Sequence, residues 1–203
     1  MKLYMHPMSS SSRRAYATAL HLGIAFDQQL IDLAKPADRA QLVQINPNNK
    51  IPVLVDGDFV LWESHAIMRY LCGKAPSQTL YPNEPRMRAD VDRWLDWSAA
   101  HLAPAVSPIS FEKMWKKFVG GGEPDQTVIE RHERFFHQFA KVLDQHLADR
   151  EWLAGKSPTL ADYSIAAVLM YRAPTKLPIE GYSHLVRYLD RIATLDAWKR
   201  SEG

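Results

Sequence analysis

The 203 residues carry 25 Lys and Arg against 23 Asp and Glu, a formal charge of +2, and 46% of them are hydrophobic. Both signs are interspersed, so the chain lacks the extended basic field that nucleic acid or an anionic membrane surface requires. Its single cysteine, Cys72, excludes an intrachain disulfide framework and a Cys-rich metal site, and no apolar run approaches the length of a membrane span.

The opening MKLYMHPMSS has no signal-peptide apolar core, which points to a cytoplasmic protein. Residues Lys2 to His6 form a strand candidate ended by Pro7. Four serines follow, Ser9 to Ser12, then Arg13 and Arg14. Ala15, Ala19, Leu20 and Leu22 fall at roughly helical spacing, and Gly23 stands where a C-cap glycine belongs. Asp27 to Leu33 alternates weakly and predicts a second strand.

The stretch NPNNKIPVLVDGDFVLWESHAIMRYL, residues 46–71, reads as a loop, a strand from Val53 to Val55, a turn at Asp56-Gly57-Asp58, a strand from Phe59 to Trp62, and a helix opening at Glu63-Ser64. Asp-Gly between two apolar runs is a strong hairpin signal. Pro52 can start a strand but not sit inside a central one, so a backbone edge is expected free just upstream of Val53. Free N–H groups at the start of the following helix suit a carboxylate. The first 75 or so residues therefore predict the order βαβ-α-ββα.

Ala75-Pro76-Ser77 and the prolines at 82 and 85 bracket a break, after which long helical periodicity replaces strands. One helix is marked by Met87, Val91, Trp94, Leu95 and Leu102, with a kink or restart expected at Pro104 and Pro108. Gly120-Gly121-Gly122 ends that segment. A second, Val128 to Leu147, sets Ile129, Phe135, Phe136, Phe139, Val142, Leu143 and Leu147 on or near one face. Thr159 and Asp162 then fit a capping box ahead of an apolar helix, Tyr163 to Tyr171. The predicted division is 1–76 for an α/β domain, 77–85 for a linker and 86–203 for an all-α domain. No H-E-x-x-H or C-x-x-C pattern is present, and no metal is expected; Cys72 reads as a packing residue.

The motif N-P-x-x-x-x-P-x-L from Asn46, followed by Glu63-Ser64 and ahead of an all-helical half, resembles the cytosolic glutathione transferases. The resemblance implies a thioredoxin-like first domain with a cis bond at Ile51-Pro52, and glutathione as co-substrate. Its implied ligand set is Asn49, Lys50, the Ile51 backbone, Pro52, Glu63, Ser64 and His65. The reactive donor is expected in the serine run: Ser9, where theta- and delta-class members carry their serine, or Ser10, since zeta-class members have two serines there. Zeta members have Trp and a second Arg where this chain has Arg13 and Tyr16. An electrophile pocket is expected from Met8, His101, Pro104, Ser107, Phe111 and Trp115. Thr159 and Asp162 match the family's structural cap after Gly155. Asn49 replaces a frequent His or Gln, and His65 replaces the Arg of delta-like members, so weaker or differently anchored glutathione is expected, with Lys50 able to reach its glycine carboxylate. The resemblance further implies a homodimer that detoxifies small hydrophobic electrophiles. A glutathione-dependent isomerase or dehalogenase of zeta or theta type, and a noncatalytic interaction module of the same fold, stay open at this point.

Overall fold

The computed structural model describes residues 1–202 and divides into two compact units, one comprising Met1–Tyr81 together with the stretch from Thr194 onward, the other Pro82–Ala193. In the first unit, β1 (Lys2–Met5), α1 (Ser10–His21), β2 (Asp27–Leu30), α2 (Pro36–Val43), β3 (Val53–Asp56), β4 (Phe59–Trp62) and α3 (Ser64–Lys74) follow in the expected order. The sheet runs β2-β1-β3-β4, with β1 and β2 parallel and the other two pairings antiparallel.

Side-chain alternation along β1 sorts the core onto two faces. Leu3 stands opposite Leu54, both buried. Tyr4 stands opposite Val53 and joins a separate cluster of Ile31, Leu42, Ile51 and Ile45. The second strand is shorter than expected. Ile31 still donates to Met5 O at 2.9 Å, but the Asp32 side chain then accepts from Ala34 N, and Asp38 accepts from Asp32 N, which turns the chain into α2.

The second unit contains α4 (Pro85–Trp97), α5 (Ala103–Ser110), α6 (Gln126–His146), α7 (Leu160–Val168) and α8 (Ser183–Thr194, whose last residue groups with the first unit). The face expected for α6 is narrower than its apolar residues. Ile129, Phe136, Ala140 and Leu143 are buried, whereas Phe135 and Val142 are 45% and 41% exposed, seven residues apart on the neighbouring stripe. The final helix, α9 (Asp196–Arg200), packs against α1, so the last residues group with the α/β unit rather than with a helical domain running over 86–203. Helical periodicity reports an apolar face; it does not report which body that face covers.

Every residue of α7 is buried, and its cap is its electrostatic centre. The Asp162 carboxylate accepts from Thr159 N (2.7 Å), Thr159 Oγ1 (2.8 Å), Leu153 N (3.0 Å) and the Tyr188 hydroxyl (2.9 Å). Burial pushes its pKa up, and these four donors pull it back. Removing the acceptor strands two backbone N–H groups and a phenol in the core, each at a cost of about 1–3 kcal/mol. Asp162→Ala is therefore expected to lose at least about 3 kcal/mol in urea denaturation; a loss below about 1 kcal/mol would show that the cap is dispensable.

Candidate functional site

The serine run begins at the end of β1. Ser9 is the N-cap of α1: its Oγ accepts from Ser12 N at 3.2 Å, while Ser9 N donates to His6 O at 2.9 Å. Ser10 opens the helix and is half-buried. Ser12 is fully buried, and its Oγ accepts from His6 N at 3.4 Å. The turn thus separates a half-buried hydroxyl at the positive end of a helix, Ser9, from one absorbed into the structure, Ser12. Met8 stands exposed on the same turn, its N–H donating to His6 Nδ1.

The loop before β3 is organised by Asn46, which is buried. Its Nδ2 donates to Lys50 O at 2.7 Å and its Oδ1 accepts from Asn48 N at 3.0 Å. Asn49 sits at φ 52°, with its Oδ1 buried and without a hydrogen-bond partner. Lys50 is exposed; Ile51 and Pro52 are buried, and the bond between them is cis. Beyond the hairpin, Glu63 adopts φ 70°, ψ 112° ahead of α3. A non-glycine residue in that region is costly and marks candidate functional positions. The exposed Glu63 carboxylate makes no capping bond to α3, and Ser64, the first residue of that helix, is buried.

His65 lies one residue further on and accepts from Arg14 Nη1 at 2.7 Å. Burial, then the charges of Arg14 and Arg69, lower its pKa to about 3. It is therefore neutral at physiological pH, and because a guanidinium only donates, Nε2 is the acceptor and Nδ1 carries the proton. Arg14 is itself buried; desolvation lowers its pKa to about 10, opposed by the Glu63 charge, and it stays cationic. Sequence reasoning missed Arg14 as part of this group. An Arg-Arg pair on a helix whose other buried positions are all small residues is its one sequence signal. Cys72 takes no part: burial pushes its thiol up to about 12, which keeps it protonated and inert.

In the second unit, His101, Pro104, Ser107 and Phe111 are exposed and Trp115 is half-buried, at spacings of three and four residues along one continuous helical run. That run widens into π turns at Ser98–Leu102 and Phe111–Trp115 instead of restarting at a proline. At the first, Ala103 N bonds to Ser98 O, which makes room for the Pro104 ring in place of the missing donor. The His101 ring lies tilted against Phe139 (centres 5.4 Å apart), and Trp115 meets Tyr171 edge to face (5.4 Å). Among the described residues no group of three or more His, Cys, Asp and Glu side chains is placed to hold a metal, and no helix is long and apolar enough to cross a membrane.

A parallel-antiparallel four-stranded sheet, a cis-proline loop and a polar helix start in one unit, followed in the chain by an all-helical unit, define a thioredoxin-like protein of the two-unit type. Residues 1–73 match the model of the glutathione S-transferase N-terminal domain, and residues 98–196 that of its C-terminal domain. The chain is 34% identical to glutathione S-transferase 3 of Zea mays, over 99% of this chain and 92% of that one, and 31% identical to glutathione S-transferase theta-2 of Mus musculus, over 95% and 80%. A solved glutathione S-transferase-I bound with lactoylglutathione superposes with a TM-score of 0.88 at 25% identity, covering 99% of this chain and 97% of that one. The chain belongs to the glutathione S-transferase family and is a glutathione transferase, with glutathione as its co-substrate.

The His65 shift sets a pH dependence. Its folded pKa lies below the ordinary 6.5, so the unfolded chain takes up this proton first as pH falls. Stability present above pH 6.5 is lost progressively between 6.5 and about 3. His65→Gln keeps an acceptor for Arg14 and removes the titration. Between neutral pH and about pH 4.5, the wild type is expected to lose about 2 kcal/mol more than the variant in chemical denaturation; equal losses would place the His65 proton elsewhere.

Proposed function

We propose that this transferase is of the serine type, with Ser9 as donor to the glutathione thiolate. The observation that carries the proposal is the Ser9 cap: the hydroxyl accepts from Ser12 N, which orients it at the start of α1 and leaves its own proton to donate. A serine hydroxyl does not ionise at neutral pH, so its use here is to stabilise a thiolate held beside it. Ser10 is the second candidate, since it opens the same helix.

Lowering a thiol pKa from about 8.5 to about 6.5 requires roughly 2.7 kcal/mol. One hydrogen bond to an ion supplies about 1.5–3 kcal/mol, and a helix N-terminus about 0.3–1. Together they suffice. The thiolate fraction at neutral pH then rises from about 3% to about 75%, but the accompanying loss of intrinsic nucleophilicity leaves a net gain of only about threefold. The larger part of catalysis is therefore positioning of the thiolate against the electrophile.

Glu63 and Ser64 hold the γ-glutamyl end in this reading. The absence of a cap bond from the exposed Glu63 carboxylate to α3 and its unusual backbone support that role. The Ile51 backbone pairs with the cysteinyl part, next to Pro52. Lys50 reaches the glycine carboxylate, and the unpartnered Asn49 Oδ1 accepts a donor on binding. His65, neutral, supports Arg14 and adds no charge of its own. The stripe His101, Pro104, Ser107, Phe111 and Trp115 receives the hydrophobic electrophile, and Met8 flanks the reacting turn. We further place the protein in the cytoplasm as a detoxifying homodimer. Exposed Phe59, Val60 and Trp62 on the edge strand β4 support self-association.

Calorimetric titration of glutathione in two buffers of different ionisation enthalpy tests the assignment. The wild type is expected to release about 0.7 proton per glutathione at neutral pH, and Ser9→Ala less than about 0.1. Undiminished release in Ser9→Ala would move the donor to Ser10, and no binding at millimolar glutathione would end the proposal.

A further inference from the structure

The C-terminal residues of the first unit grip α1 through one side chain. Arg13 is buried, with its guanidinium carbon 3.9 Å from the centre of the Trp198 ring. Its Nε donates to Ser201 Oγ at 3.1 Å, and its Nη2 donates to Trp198 O at 3.3 Å and to Glu202 Oε1 at 2.9 Å. Ser201 Oγ donates in turn to Trp198 O at 2.6 Å, which closes the tail around the guanidinium. The same residue's backbone closes the first turn of α1: Arg13 N donates to Ser9 O at 2.8 Å.

The serine turn is therefore held at two points. On the strand side His6 is tied to Ser12, and on the other side the tail is tied to Arg13. A mere staple of this size needs no charge, and a buried guanidinium carries a desolvation cost that apolar packing avoids. Its one carboxylate partner, Glu202, is 69% exposed and screened by water, so positive charge persists one turn from Ser9, at the helix end whose own partial charge has the same sign.

We propose that the segment Asp196–Glu202 is a positioning element for the reacting thiol, acting through Arg13 to hold the first turn of α1, and with it Ser9, in the orientation that stabilises the thiolate. Arg13 and Trp198 are positioning residues. The proposal rests on the assignment of Ser9 above and goes beyond it, because it makes a segment more than 180 residues away in sequence part of thiol activation.

The test measures the ultraviolet absorbance of bound thiolate against pH, together with kcat and KM toward chlorodinitrobenzene and glutathione. Trp198→Ala and Arg13→Met are expected to raise the bound-thiol pKa by about one unit, a tenfold change in that equilibrium, and to lower kcat about tenfold through misplacement of the reacting atoms. KM for glutathione rises by only about threefold, the amount that the thiol pKa shift itself imposes at neutral pH, since Glu63 and Ser64 are untouched. Trp198→Phe keeps a ring under the guanidinium and stays near the wild type. Ser201→Ala, which removes one hydrogen bond, gives a smaller shift in the same direction and serves where the larger changes prevent folding. Variants with a lowered melting temperature but an unshifted thiol pKa would overturn the proposal and leave the tail a staple. A wild type showing no bound thiolate would instead overturn the Ser9 assignment itself.

Discussion

The burial of α1 is the constraint on which the first unit depends. Seven of its twelve residues are buried, among them Ala15, Ala17, Thr18 and Ala19, and both α3 and α9 pack against it. Only small side chains let helix backbones approach so closely. The result is a helix axis that cannot drift, and a helix N-terminus whose partial charge is aimed at one place. A loop serine gains chemical use from such a fixed neighbour. In the proposed assignment Ser9 is that serine, because it caps the helix, whereas Ser12, one turn in, is consumed by the fold.

Two arginines break the small-residue pattern of α1, and they divide the work by direction. Arg13 turns toward α9 and is held by a ring face, a hydroxyl, a carbonyl and a carboxylate. Arg14 turns toward α3, where neutral His65 accepts from it and the Glu63 charge favours its cationic form. The buried Arg13 is tolerated because its partners suit a planar donor. The shared consequence of the two arginines is positive charge on both sides of α1, which in the proposed assignment suits an anionic tripeptide and its thiolate. A histidine beside a permanent cation is kept neutral, so the charge of this pair sits on Arg14 of α1.

The helical unit solves a different problem. Asp162 gathers four donors where three segments meet, from Leu153, Thr159 and Tyr188, and a buried carboxylate survives only with such a set. The long helix opposite widens into a π turn just ahead of Pro104 and carries Pro108 inside α5, and it stays continuous through both. Continuity places His101, Pro104, Ser107, Phe111 and Trp115 on one stripe, while Phe139 and Tyr171 brace its aromatic members.

Local signals were enough for much of this. The Asp-Gly turn between apolar runs specified the hairpin and Thr159 and Asp162 marked the cap of α7, because turns, caps and hairpins are set by residues within a few positions of one another; the glutathione-binding half was implied by the family resemblance of the stretch from Asn46 to Ser64. Other features were decided by the tertiary structure alone. The wrong side of α6 for Phe135 and Val142, the return of α9 to the first unit, the grip of Trp198 and Ser201 on Arg13, and the neutrality of His65 beside Arg14 all depend on which distant segment lies across the boundary. Periodicity shows that a face is apolar, and a motif shows that a side chain is available. Burial, and the charge or hydrogen bond that meets each group there, exist only once the chain has closed on itself.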